Sequence, residues 1–248
     1  MQLLEWDAQA YDALPLPHTR WGSRTIRRLR LAGDEAVMEL GCGTGRDAER
    51  LLDALPGGQV IAVDGSAQML AQLQQRLRDR MDRVTVLHAD LRQPLTLDEP
   101  VDAAVTVATL HWLPDHDMVF QTVASSLRPG GRFVAEAGGA GNVERFRAAV
   151  RAVGGDDGGR LWNFAGIEET THRLQRAGFT GIEVELVADS AVLERGAQFE
   201  AFLATVMLGS QLRELPTHQR HPFVRAVAEQ LDEPVIDYVR LQIDATRA

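Results

Sequence analysis

Seven residues, Glu39-Leu40-Gly41-Cys42-Gly43-Thr44-Gly45, constrain this chain more than any other stretch. They follow an apolar run, Ala36–Leu40, that reads as a strand. They precede Arg46–Leu55, where Leu51, Leu52 and Leu55 fall on one helical face. Glycines between a strand and a helix let the backbone turn sharply and approach a ligand without a β-carbon in the way. The spacing is G-x-G-x-G, shorter than the G-x-G-x-x-G of dinucleotide loops, which counts against a dehydrogenase. Asp64 ends the next apolar run, Val60–Val63, nineteen positions after Gly45. A carboxylate there can accept both hydroxyls of a ribose.

The same alternation continues to Val187. Ser66 can cap a helix in which Met69, Leu70, Leu73 and Leu77 recur at helical spacing. Val84–Leu87 and Val101–Ala108 read as strands, and Val119, Val123 and Leu127 mark a helix stopped by Pro129-Gly130-Gly131. Arg132–Ala137 and Ile182–Val187 are further strands, with a helix over Glu168–Ala177 between them. Strands separated by helices imply right-handed crossovers and a mostly parallel sheet. From Gln198 to Leu231 the pattern is helical, and from Val235 a period-two alternation marks a final strand. The expected architecture is an α/β, Rossmann-like, doubly wound sheet of seven strands with a helical lid inserted before the last strand. Its parts are an N-terminal helical segment (1–30), a core (31–190), the lid (191–233) and the final strand (234–248).

Composition narrows the function. A chain of 248 residues, 45% hydrophobic, can bury one full core. Its net charge of −9 disfavours a polyanionic partner such as nucleic acid. All 26 basic side chains are arginine, so no lysine can form a Schiff base. The lone Cys42 reads as a small packed loop residue, and no metal cluster is expected. Met1–Asp7 has neither a basic nor an apolar leader region, and no stretch is long enough to span a bilayer. We expect a cytoplasmic protein, monomer or homodimer, that acts on a small molecule.

With the glycine loop and Asp64 in place, the chain resembles class I S-adenosylmethionine-dependent methyltransferases, and more specifically the trans-aconitate methyltransferase-like branch. Trp6-Asp7-Ala8 with Tyr11, Thr109-Leu110-His111-Trp112, Leu127 to Val134 and Gly138-Gly139-Ala140-Gly141-Asn142 match patterns of that branch. The resemblance implies S-adenosylmethionine as cofactor. Gly41, Gly43 and Gly45 would then line its methionine and ribose portions, and Glu39 would orient its amino-acid end. Asp64 would bind the ribose, with Gly65, Ser66 and Met69 beside the adenine. Met69 reads equally as helix core. Asp90, followed by Leu91, would accept from the adenine amino group. The backbone at Val107 and Ala108 would meet the methionyl or sulfonium end. Trp6 and Tyr11 belong to a segment that in this family folds over the cofactor, together with His18 and Trp21.

For the acceptor, His111 is the candidate general base, at the end of the fourth strand; a structural histidine is the competing reading. Trp112 either packs the cofactor or staples its loop. His116, between Asp115 and Asp117, reads as a solvent-facing helix cap. Asn142 could reach the acceptor, and Arg213, Arg220 and Arg225 of the lid could hold a carboxylate. The acceptor atom is expected to be oxygen, with a carboxylate among the candidates. Base methylation is disfavoured because Ala108-Thr109-Leu110-His111-Trp112 stands where Asn/Asp-Pro-Pro-aromatic would be. Two alternatives keep the fold without methyl transfer: a cyclase or isomerase of specialised metabolism, and a non-catalytic cofactor-binding module.

Overall fold

Four of the five residues of β1 (Ala36–Leu40) are buried. So are four of the six in β2 (Gln59–Asp64) and five of the seven in β4 (Val101–Val107). Near-continuous apolar strands of this kind belong in a parallel sheet covered on both faces. The computed structural model describes residues 7–13, 18–159 and 161–248 and has that form. Seven strands lie in the order β3-β2-β1-β4-β5-β9-β6, with β3 at Val84–His88, β5 at Leu127–Gly138, β6 at Phe179–Ala188 and β9 at Val239–Arg247. The first five pair in parallel, and β9 lies antiparallel to both β5 and β6.

Helices cover both faces. Before the sheet come α1 (Ala8–Asp12) and α2 (His18–Leu29), and within it α3 (Arg46–Ala54), α4 (Ala67–Arg76) and α5 (His116–Ser126). Ser66 caps α4, its hydroxyl accepting from Met69 N–H at 3.2 Å, as the sequence led us to expect. After β5 come α6 (Glu144–Ala152) and α7 (Ile167–Arg176). The block between β6 and β9 holds α8 (Ala197–Phe202), a π-helical turn, α9 (Gly209–Glu214) and α10 (Thr217–Glu229). Among the described residues no helix is long and apolar enough to cross a membrane.

Two expectations need correction. The period-two run from Val235 is not one strand. Val235–Ile236 (β8) pairs instead with Ala191–Val192 (β7) in a small separate sheet, and β9 begins at Val239. The break occurs because Asp237 serves α6, its backbone oxygen accepting from Val143 N–H and its carboxylate from Arg145 N–H. His116 is buried, not solvent-facing. One ring nitrogen bonds Leu110 O at 2.8 Å, and Asp115 caps α5 by accepting from Met118 N–H.

On one face of the sheet the core is organised by three rings. Phe133 of β5 meets Phe120 of α5 at 5.9 Å and Phe179 of β6 at 5.8 Å, centroid to centroid. Phe133 is completely buried, so truncation leaves a cavity that strands on either side cannot close. Phe133→Ala should therefore lose about 3–5 kcal/mol of unfolding free energy in chemical denaturation. A loss below about 1 kcal/mol would show that this face repacks freely.

Candidate cofactor and acceptor site

The strand order steps from β1 to β2 on one side and to β4 on the other, so the crevice between β1 and β4 opens at their carboxyl ends. Ligands of open α/β sheets bind there. Thr106 of β4 closes the base of that crevice by donating its hydroxyl to Leu40 O at 2.8 Å. The glycines above it do different work. A β-carbon on Gly41 would sit 2.1 Å from Thr109 Oγ1, so this glycine permits the close approach of two loops. Gly43, at φ +51°, has nothing within 4 Å of where a β-carbon would stand, and it lines a cavity of about 340 Å³. That open cradle is what a cofactor brought against the backbone requires.

Two expected residues lie off the cavity wall. Gly45 is packed against α4, where a β-carbon would stand 2.8 Å from Leu73 Cγ. Glu39 is buried beneath the loop with Oε2 unpartnered. Burial, reinforced by the charges of Asp47 and Asp64, pushes its carboxyl well above the usual range, which favours the neutral form. Cys42 is buried as a packed loop residue, and burial raises its thiol well above the usual range too.

Asp64 is held at the cavity wall by two backbone donors. Oδ2 accepts from Gly43 N–H at 2.9 Å and Oδ1 from Ser66 N–H at 2.8 Å. Gly65, Ser66, Met69, Leu91, Val107 and Ala108 line the same cavity. Met69 is both core and lining, so its two readings are compatible. Asp90 also lines it, already paired with the Arg92 guanidinium at 2.8 Å, and the Arg92 hydrogen bonds hold its carboxyl below the usual range. Sequence reading gave Asp90 an adenine contact without this competitor.

Helix α1 is strapped across the loop by Asp12. Its Oδ1 accepts from Thr44 Oγ1 at 2.9 Å and Arg46 Nε at 2.8 Å, and its Oδ2 from Arg76 Nη2 at 2.5 Å. Burial alone would raise the Asp12 carboxyl, but these bonds and charges outweigh it and hold it below the usual range. The strap brings Tyr11 to the cavity, its hydroxyl 2.8 Å from His18 Nδ1. Trp6 lies outside the described residues.

Past the end of β4 on the cavity wall stands Ala108, whose φ of +56° is a strained conformation for a residue with a side chain. Its N–H donates to Glu136 O at 2.7 Å, and the turn that follows delivers His111 and Trp112 to the wall. His111 Nδ1 accepts from Gly138 N–H at 3.3 Å. Burial, then the charge of Arg240, lowers its pKa well below 6.5, so the ring is neutral with its proton on Nε2. A wall of rings continues from it: Phe164 at 6.0 Å, Trp162 5.5 Å beyond, and Trp112 6.0 Å from Trp162. Asn142 lines the cavity, but its Oδ1 is engaged by Val239 N–H at 2.8 Å, tying β9 to the turn before α6.

The lid arginines do not reach this space. Arg213 is exposed on α9, Arg220 donates to Leu215 O, and Arg225 lies 3.7 Å from Glu229. The lid shows the cavity Val206 and Met207 instead, because its apolar face is the one that packs inward. The cation that does line the cavity is Arg240, only 1% exposed, which sequence reading missed. The available signal was its place near the start of the last strand. An antiparallel strand begins at the edge where its parallel neighbours end.

Comparison with known proteins agrees with this geometry. A family profile described as "Methyltransferase domain" matches residues 37–131. A trans-aconitate 2-methyltransferase of Azoarcus sp. (strain BH72) is 35% identical over 126 residues, 51% of this chain and 48% of that protein. The chain thus spans about half the length of the curated relatives it matches. Among solved structures, a Haemonchus contortus phosphoethanolamine N-methyltransferase 2 complex containing S-adenosylhomocysteine superposes with a TM-score of 0.63 at 20% identity, covering 92% of this chain and 52% of that one. The cyclase SpnF superposes with a TM-score of 0.61 at 19% identity, covering 92% and 80%. Residues 37–131 thus match a methyltransferase domain, the glycine loop, its acidic partner and the sheet order agree with that match, and the likeness to trans-aconitate 2-methyltransferases extends over about half of the chain.

Proposed function

We propose that this protein transfers a methyl group from S-adenosylmethionine to an oxygen of a small organic acid, a carboxylate oxygen in the first instance. One observation carries the reading: a single cavity joins the glycine loop and Asp64 to a wall of rings around a buried arginine. When bound, S-adenosylmethionine supplies a methyl on a positively charged sulfur; its displacement by a carboxylate oxygen forms a C–O bond as the S–C bond breaks, giving an ester and S-adenosylhomocysteine.

In this reading Asp64 accepts from the ribose hydroxyls, Ser66 and Met69 flank the adenine, and the backbone at Val107 and Ala108 meets the reacting end. Tyr11 and the block 191–233, through Val206 and Met207, close the space over both ligands. Trp112, Trp162 and Phe164 exclude water and hold the acceptor in line, a contribution worth several orders of magnitude in rate. A carboxylate is ionised at neutral pH and needs no base. That suits His111, whose Nδ1 lone pair is already taken and whose Nε2–H can only donate. We therefore assign His111 to orienting the acceptor. The Azoarcus relative, whose name specifies trans-aconitate, supports a carboxylate acceptor.

Two outcomes test the reading. Calorimetry should find saturable binding of S-adenosylhomocysteine, weakened about 100-fold or more by Asp64→Ala in a protein of unchanged circular dichroism, the size expected for losing charge-assisted bonds. Incubation with S-adenosylmethionine and trans-aconitate or other acids should yield methyl ester and S-adenosylhomocysteine in equal amounts. An isomerised product without that by-product would instead favour the cyclase reading. The second outcome concerns pH. With His111 held neutral and burial lowering Arg240 only to about 10, kcat should be flat between about pH 6 and 9. An ascending limb between about pH 6 and 9 would show that a group must lose a proton before methyl transfer and would sink the base-free reading.

A further inference from the structure

Arg240 is built as a receptor for an anion. Its guanidinium lies 3.7 Å from the centre of the Trp21 ring, and Trp21 is itself fixed by donating Nε1–H to Asp189 at 3.0 Å. Nε and Nη2 point to Glu136, each at 3.4 Å from an oxygen. These are long contacts because Glu136 is already committed. Arg24 reaches its two oxygens at 3.0 and 2.5 Å, and Thr25 Oγ1 donates to one of them at 3.2 Å. Nη1 of Arg240 has no hydrogen-bond partner among the described residues. A guanidinium removed from water, loosely paired and with donors to spare, is incomplete without an anion. The nearby imidazoles cannot supply one. His18 and His111 are both neutral, and each has its pKa lowered first by desolvation and next by the charge of Arg240.

We propose that Arg240 is a specificity-determining residue that holds a carboxylate of the acceptor through its free Nη edge. This rests on the methyltransferase reading above and adds to it the group that selects the acid. Two carboxylates could reach such a cation, that of the acceptor and that of the cofactor's methionyl tail. The sheet order favours the acceptor. β9 stands three strand spacings from β1, about 14 Å, whereas the cofactor loop leaves β1 itself. His111 and Trp162 share the cavity with Arg240, so a planar acid held there would lie against rings. Trp21 and Glu136 fix the guanidinium before any ligand arrives, which lowers the ordering cost of binding. The carboxylate on Arg240 is an anchor. Hydrogen bonds from a guanidinium draw charge from its oxygens, so another oxygen is the better nucleophile.

The test is calorimetry on protein saturated with S-adenosylhomocysteine, using benzoate, succinate and trans-aconitate as probes, each against its methyl ester. At least one acid should bind while its ester does not. Arg240→Met should weaken that binding about 10- to 100-fold with S-adenosylhomocysteine affinity unchanged. Arg240→Lys, which keeps the charge and loses the fork, should recover part of it. Equal acid affinity in Arg240→Met overturns the proposal. So does a variant that loses S-adenosylhomocysteine but keeps 5′-methylthioadenosine, because the guanidinium would then belong to the cofactor's carboxylate. If the wild-type protein binds S-adenosylhomocysteine and none of the acids, the proposal falls and the cofactor reading stands. If it binds no S-adenosylhomocysteine, the reading beneath falls as well. Should both variants misfold, the guanidinium resonances of Arg240 in isotope-labelled wild-type protein decide. They must shift when acid binds, and their failure to move overturns the assignment.

Discussion

The carboxylate of Glu136 is buried completely, and three elements are tied through it. It sits on β5, takes Arg24 and Thr25 from α2, and faces Arg240 from β9. A carboxylate in that position is tolerable only if its charge and its lone pairs are both met. Arg24 does most of this, and it also reaches Asp189 beyond the end of β6 at 2.9 Å. The main-chain oxygen of the same residue accepts from Ala108 N–H, so Glu136 also fixes the strained turn that ends β4. The N-terminal helix, the acceptor loop and the last strand are thus oriented from one buried residue. Arg240 is what this arrangement leaves over: a cation brought into the cavity by a partner that is already occupied.

That arrangement decides the electrical character of the cavity. The two histidines that line it are held neutral, and Tyr11 and Tyr238, also on its wall, have their hydroxyl pKa values raised above the ordinary 10 by desolvation. The other ionisable groups on the wall are Asp64, the Asp90–Arg92 pair and Arg240, and of these Arg240 is the buried one. On the reading proposed above, such a site would discriminate by charge at Arg240 and by shape along its rings. It needs no proton-accepting group if the nucleophile arrives ionised. The pH behaviour, the aromatic wall and the placement of one cation are therefore facets of the same economy of buried charge.

The cofactor half was legible in the sequence because its signals are local. A glycine is needed where the backbone must be approached, an acid must end the next strand, and a serine must cap α4; each is read within a few residues of itself. Gly43, Asp64 and Ser66 accordingly stand on the cavity wall. The misreadings share a different cause. Arg213 and His116 were judged by their neighbours in sequence, yet their exposure depends on which helical face turns toward the sheet. Gly45 and Glu39 belong to the right motif and stand off the cavity wall: Gly45 is packed against Leu73 of α4, and Glu39 is buried on β1 beneath the loop. Arg240 was invisible for a topological reason. Nothing local states that the last strand runs antiparallel and slots between β5 and β6, and only that direction carries its first residues to the ligand edge.

The same division explains what relatives can say about this chain. The family profile ends at residue 131, after the glycine loop, Asp64, Asp90 and the turn carrying His111. Trp162, Phe164, the block that contributes Val206 and Met207, and Arg240 all lie beyond it. Cofactor recognition comes from loops that leave the parallel strands, where geometry is dictated by the fold. On the reading proposed above, part of the acceptor site comes from segments after β5, where the fold asks only for an apolar face and a strand to complete the sheet. The fold leaves the sequence there free to change, and the profile match ends before it begins. In this protein that freedom has been used to set a single guanidinium on a tryptophan face within a wall of rings. On the same reading, acceptor choice is shared between these segments and His111 and Trp112 of the matched region.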